Sequence, residues 1–65
     1  MTGNEVKKIR VEVLKETQTV FAKRLGYRGY QSVYLLEKRG KRQINRDAEW
    51  KFDTLGLKKL LPTVN

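Results

Sequence analysis

Between Met1 and Leu61 the chain contains no proline, and Gly26, Gly29, Gly40 and Gly56 divide it into stretches of helical length. Only Pro62 lacks a backbone donor, so helix is open to nearly every earlier residue and its limits must come from glycines and caps. Thr17 is placed as N-cap of a short helix in which Phe21, Ala22 and Leu25 share a face, and Gly26 is suited to end it in a left-handed conformation. A turn over Tyr27 to Gly29 follows, with Gly29 free to take positive φ. A further helix is expected from Tyr30 to Arg39, ended by Gly40. Val33 and Leu36 point to one side of it, while Tyr30, Gln31, Tyr34, Leu35 and Lys38 cluster on the other. Asn45 reads as the next N-cap, with Asp47 and Glu49 in the first turn, where the helix dipole favours carboxylates. Ala48, Phe52 and Leu55 are the buried stripe of that helix, Gly56 its end, and Trp50 faces away.

The stretch from Asn4 to Glu16 admits two readings. Val6, Ile9, Val13 and Leu14 fall within about 140° of a helical wheel, which favours helix. Ile9, Val11 and Val13 alternate with charged residues and are β-branched, which is the pattern of a strand. The helical stripe begins earlier and lasts longer, so an all-α, compact bundle of four to five helices is expected, as one domain over residues 1–65. Arg10 lies inside that apolar stripe and therefore needs a carboxylate. Glu37, near the inner edge of the third helix, is the candidate.

At 65 residues a chain buries only about 60% of its unfolded surface. With no cysteine, neither disulfide nor thiolate metal site can brace it. The charge is +8 and unevenly placed. From Lys23 to Arg46, eight cations face the single acid Glu37, so nearly all of the excess lies in this central part. A concentrated positive field attracts a polyanion, and nucleic acid is the commonest one. No apolar run is long enough for a membrane span or signal peptide, and a cytoplasmic location is expected. Histidine and cysteine are absent, which removes the commonest general base and thiol nucleophile. The acids Glu5, Glu12, Glu16, Asp47, Glu49 and Asp53 are interleaved with cations, as ion-pairing faces are. The expectation is a binding protein, not an enzyme, with no cofactor, no metal and no small-molecule substrate.

The run Thr17-Gln18-Thr19-Val20-Phe21-Ala22-Lys23-Arg24-Leu25-Gly26, the later Ser32-Val33-Tyr34-Leu35-Leu36-Glu37, and the Gly40-Lys41-Arg42 loop together resemble the Cro and lambda-repressor type of helix-turn-helix regulators. The likeness covers about half the chain, with three departures: the turn between Gly26 and Val33 is one residue longer than is usual there, Glu37 stands three rather than two residues before Gly40, and Arg10 stands about one residue further from Thr17-Gln18. The resemblance implies a DNA-binding regulator of phage or mobile-element origin, acting as a dimer on an inverted repeat, and it supports the Arg10–Glu37 pair. It implies a phosphate contact for Gln18. Tyr30, Gln31 and Ser32 match the opening of the recognition helix, where Gln31 can address adenine and Arg28 guanine. Leu35 matches a groove-facing position and can pack on a thymine methyl group. Tyr34 and Lys38 then suit phosphates or outer bases, and Arg39, Lys41 and Arg42 the backbone.

Each of these residues also has a plainer role. Tyr30 or Tyr34 can fill space in a small domain, Gln18 can simply start a helix, and Lys41 and Arg42 can be a solvated loop. Trp50 suits packing better than base stacking. With Leu57, Leu60, Leu61 and Val64 it is expected at a dimer interface, the rival being a tail folded back over Trp50 within one chain. Two other functions fit the composition: RNA binding through stacked tyrosines, and an antitoxin-like protein-interaction module.

Overall fold

The computed structural model describes residues 1–61, which form helices joined by short turns. In order these are α1 (Gly3–Lys8), which continues as a π-helical stretch (Ile9–Leu14), α2 (Gln18–Leu25), α3 (Gln31–Lys38), α4 (Arg46–Thr54) and a 3-10 turn (Leu57–Leu60). No strand occurs among the described residues; one antiparallel bridge joins Thr2 to Gln43. The helical reading of the N-terminal third therefore holds over the strand reading. No helix is long and apolar enough to cross a membrane among these residues.

Local chemistry explains most boundaries. α1 begins one residue earlier than expected because Thr2 and Glu5 form a capping box: the Glu5 amide donates to Thr2 Oγ1 and the Thr2 amide to Glu5 Oε1. The Thr17 hydroxyl accepts from the Val20 amide, and Asn45 Oδ1 from the Ala48 amide. After α2, Gly26 at φ 86° lets its own amide reach the Lys23 carbonyl and the Tyr27 amide the Ala22 carbonyl. This pair of bonds closes the helix end and turns Tyr27 back onto the core. Gly29, by contrast, does not take positive φ.

The core gathers Val6 and Ile9 from the first helix, Phe21, Ala22 and Leu25 from α2, Val33 and Leu36 from α3, and Ala48 and Phe52 from α4, with Ile44 and Leu57. Phe21 and Phe52 meet with ring centroids 5.9 Å apart and a 56° tilt, an arrangement that aromatic quadrupoles favour. The N-terminal segment closes one side. The Ile44 amide donates to the Met1 carbonyl at 2.9 Å, the Asn4 amide to Gly40 at 2.8 Å and the Gly3 amide to Arg42 at 3.2 Å. Gly3 sits so close to the end of α3 that a Cβ there would collide with the Leu36 carbonyl and lie 2.8 Å from the Gly40 nitrogen.

Four apolar expectations need correction. Val13 is exposed rather than part of the stripe, because a π turn advances each residue less around the axis than an α turn. Leu55, expected inside, is 49% exposed. Leu57, expected at a dimer interface, is only 5% exposed and lies in its own chain's core. The reason for both is Gly56: at φ 72° it reverses the chain after α4, so the residue following it, not the one before, folds onto the core. Leu61 packs partly buried against the same core, so it too is directed inward, while Leu60 stays at the surface. Val64 lies outside the described residues.

Candidate nucleic-acid interface

α3 is fixed from behind. Val33 and Leu36 are buried, α3 packs on both α1 and α2, and Glu37 joins α3 to α2 and to the π stretch. Arg10 Nε donates to Glu37 Oε2 at 2.6 Å and Arg10 Nη2 to Oε1 at 3.0 Å, a bidentate pair whose side chains are 13% and 7% exposed. Arg10 Nη1 also donates to the Glu16 carbonyl, and Gln18 Nε2 donates to Glu37 Oε1 at 3.2 Å. The carboxylate thus has donors from α2 and from the π stretch at once. The pair expected between Arg10 and Glu37 is present. Gln18 does more than start its helix, because its side-chain amide belongs to this network.

The opposite side of α3 is open. Tyr30 and Tyr34 are each 48% exposed and Leu35 is 61% exposed, with Gln31 and Lys38 also at the surface. Neither tyrosine is filler for the core. The Gln31 side chain folds back over the turn, where its Oε1 occupies the space that a Cβ of Gly29 would need. Ser32 is half-buried on the edge of this face, in a shallow concavity shared with Tyr27, Leu35 and Arg39. Tyr27 itself is an anchor: its ring carries the Lys51 ammonium 5.1 Å from the centroid. Burial, and then the charge of Asp47, push its hydroxyl pKa upward.

Cations flank the open face. On one side Leu35, Lys38, Arg39 and Arg42 line a shallow concavity, and on the other Lys7, Gln18, Tyr34 and Lys38 line a second one above Glu37. Arg28, Lys38, Lys41 and Arg42 are exposed and have no ion-pair partner among the described residues. Arg39 donates through Nη1 to the Gln43 carbonyl at 3.0 Å, which fixes its guanidinium beside the loop. Lys7 is an addition to the residues singled out in the sequence. Its signal was a lysine one turn before Arg10, beside the edge of the apolar stripe.

Chemically, this surface offers amide, hydroxyl and cationic donors around one exposed leucine. It holds no nucleophile paired with a base, and no group of three metal-ligating side chains occurs among the described residues. Trp50 is 67% exposed on α4, away from these groups, and lines none of the concavities beside α3. Comparison with protein-family models, with characterised proteins and with solved structures finds no match.

Proposed function

We propose that the protein is a sequence-specific double-stranded DNA-binding regulator in which α2 and α3 act as a helix-turn-helix and α3 is the recognition helix. The observation that carries this reading is the two-sidedness of α3. Val33, Leu36 and the Arg10–Glu37–Gln18 network immobilise one side, while Tyr34, Leu35, Lys38 and Gln31, the last resting over Gly29, are exposed on the other beside cations that have no ion-pair partner among the described residues. A rigid helix with an exposed amide and thymine-sized apolar group suits the major groove, and the flanking cations suit phosphates. In this reading Gln31 and Arg28 discriminate bases, whereas Lys41, Arg42 and Lys38 hold the backbone. The resemblance of the α2–α3 sequence to Cro-type regulators points the same way.

Binding as a dimer to an inverted repeat belongs to the same proposal. Two copies of α3 entering successive grooves would stand about 34 Å apart. The 3-10 turn packs beside the Ile9–Leu14 stretch, and Leu60, Val11 and Val13 are exposed on these two segments, which makes that end the candidate contact.

Selection of bound duplexes from a random pool tests the proposal. The selected duplex should bind about 10³-fold more tightly than random duplex, with affinity falling steeply as salt rises. Gln31→Ala or Arg28→Ala should change the preferred sequence, and Lys41→Ala or Arg42→Ala should weaken all sequences alike. Equal affinity for duplex and single strands, with preference for RNA, would overturn the reading in favour of base stacking on Tyr30 and Tyr34.

A further inference from the structure

A second surface, sharing no residue with α3, lies between the C-terminal end of α2 and the outer side of α4. Its apolar lining is Leu25, Gly26, Trp50 and Leu55. Trp50 is the only tryptophan in the chain and is 67% exposed. Leu55, displaced outward by the Gly56 reversal, stands at the C-terminal cap of α4. Two large apolar side chains left in water beside a groove are the usual mark of a contact surface, and tryptophan is the side chain that most often dominates such contacts.

The charges around the groove are all positive: Lys23, Arg24 and Lys51. Arg24 is answered by Glu16, to which it donates through Nε at 3.0 Å and through Nη2, so Lys23 and Lys51 set the sign of the rim. The Tyr27 ring holds the Lys51 ammonium without neutralising it. Of the α4 acids, Glu49 and Asp53 face Lys58, while Asp47 acts on Tyr27, outside the groove lining, and forms no ion pair with Lys51 among the described residues.

These features select among occupants. A second copy seated in this groove would bring Lys23 and Lys51 of both chains to one seam, and like charges at a contact are costly. Nucleic acid gains its affinity by neutralising many phosphates, and two free cations around an apolar centre supply too few. We infer that the groove is a docking site for an acidic protein segment carrying an apolar anchor, which packs against Trp50 and Leu55 while flanking carboxylates meet Lys23 and Lys51. Because no residue of α3 lines it, the partner and the DNA proposed above can bind at the same time, and either reading can fail without the other.

The sole tryptophan makes the test direct. The full chain is titrated with a short synthetic peptide bearing leucine and phenylalanine one helical turn apart among glutamates, and with its twin in which lysines replace the glutamates. The acidic peptide should shift Trp50 emission to the blue in a saturable way and bind at least about tenfold more tightly than its twin, by a margin that shrinks as salt rises. Lys23→Glu combined with Lys51→Glu should lower its affinity by about tenfold or more, and Leu55→Ser, at a half-exposed site outside the core, should do likewise with helical content unchanged. The inference fails if the acidic peptide produces no shift, or if both peptides act equally. It also fails if random duplex produces the same shift, or if emission moves to the blue with protein concentration alone as the chain sediments as a dimer.

Discussion

Replacing Arg10 by Met should come close to unfolding the protein, whereas replacing Arg10 and Glu37 together should not. The two side chains are 13% and 7% exposed and share two hydrogen bonds of 2.6 and 3.0 Å. Taking away the guanidinium leaves the Glu37 carboxylate with Gln18 as its remaining side-chain donor. Breaking a buried pair on one side costs about 3–5 kcal/mol. At about 0.05–0.15 kcal/mol per residue, a chain of 65 residues has roughly 3–10 kcal/mol in all. A loss at the low end of that cost lowers the midpoint by about 12 °C or more. Replacing both residues by Met removes the stranded charge along with its partner, and such exchanges are often neutral or stabilising by about 1–4 kcal/mol. Thermal and urea unfolding of Arg10→Met, Glu37→Met and the double variant, followed by far-ultraviolet circular dichroism, gives the coupling directly. If each single variant loses less than about 1 kcal/mol, the pair behaves as an exposed one and does not hold α3 in place.

Two further outcomes follow from the same contacts. Gly3→Ala should destabilise by about 1–3 kcal/mol, measurable in the same unfolding assay, because the added Cβ meets the Leu36 carbonyl and the Gly40 nitrogen, which are backbone and cannot rotate away. Acid should weaken the fold partly through Glu16, whose carboxyl is held below the ordinary glutamate range chiefly by its hydrogen bond from Arg24. A lowered folded-state pKa contributes stability that is fully present above the ordinary value and lost as pH falls through the lowered one. Glu16→Gln should therefore lower stability slightly at neutral pH, where the ionised pair contributes, and flatten the acid limb by the same amount; an unaltered profile would show that the pair contributes nothing.

What the sequence made legible was local. Thr17, Gly26 and Asn45 announce helix ends through chemistry that acts within a few residues, and the structure uses all three. Val33 and Leu36 lie inside because their spacing matches an α turn. Arg10 and Glu37 were also readable, since a cation in an apolar stripe requires a partner. The misplaced residues have non-local or conformational causes. Gly3 carries no signal until the end of α3 comes against it, and nothing in the Leu57-Lys58-Lys59-Leu60 pattern tells which leucine turns inward. That was decided by Gly56, whose reversal seats Leu57 in the core and leaves Leu55 outside. The Val13 error came from applying one angular period to a stretch that does not keep it. For the candidate interface, the sequence supplied the open face of α3 but not the Gln31 side chain resting over Gly29, nor the nearness of Lys7, which depend on how the helices meet.

The π-helical stretch gives this chain a place where its length can change. In Ile9–Leu14 the Arg10 carbonyl accepts from the amides of Lys15 and Glu16, five and six residues on, and Lys15 closes the stretch at φ 54°. Wider turns of this kind accommodate an extra residue without moving what lies on either side. Here those neighbours are the buried Arg10 guanidinium and the Thr17 cap, the two fixed points of the α3 mounting. Deletion of one exposed residue between them, such as Glu12, would let the stretch tighten to ordinary α turns with both points still in register. A one-residue change of length at this position would thus be absorbed by the helix that contains it.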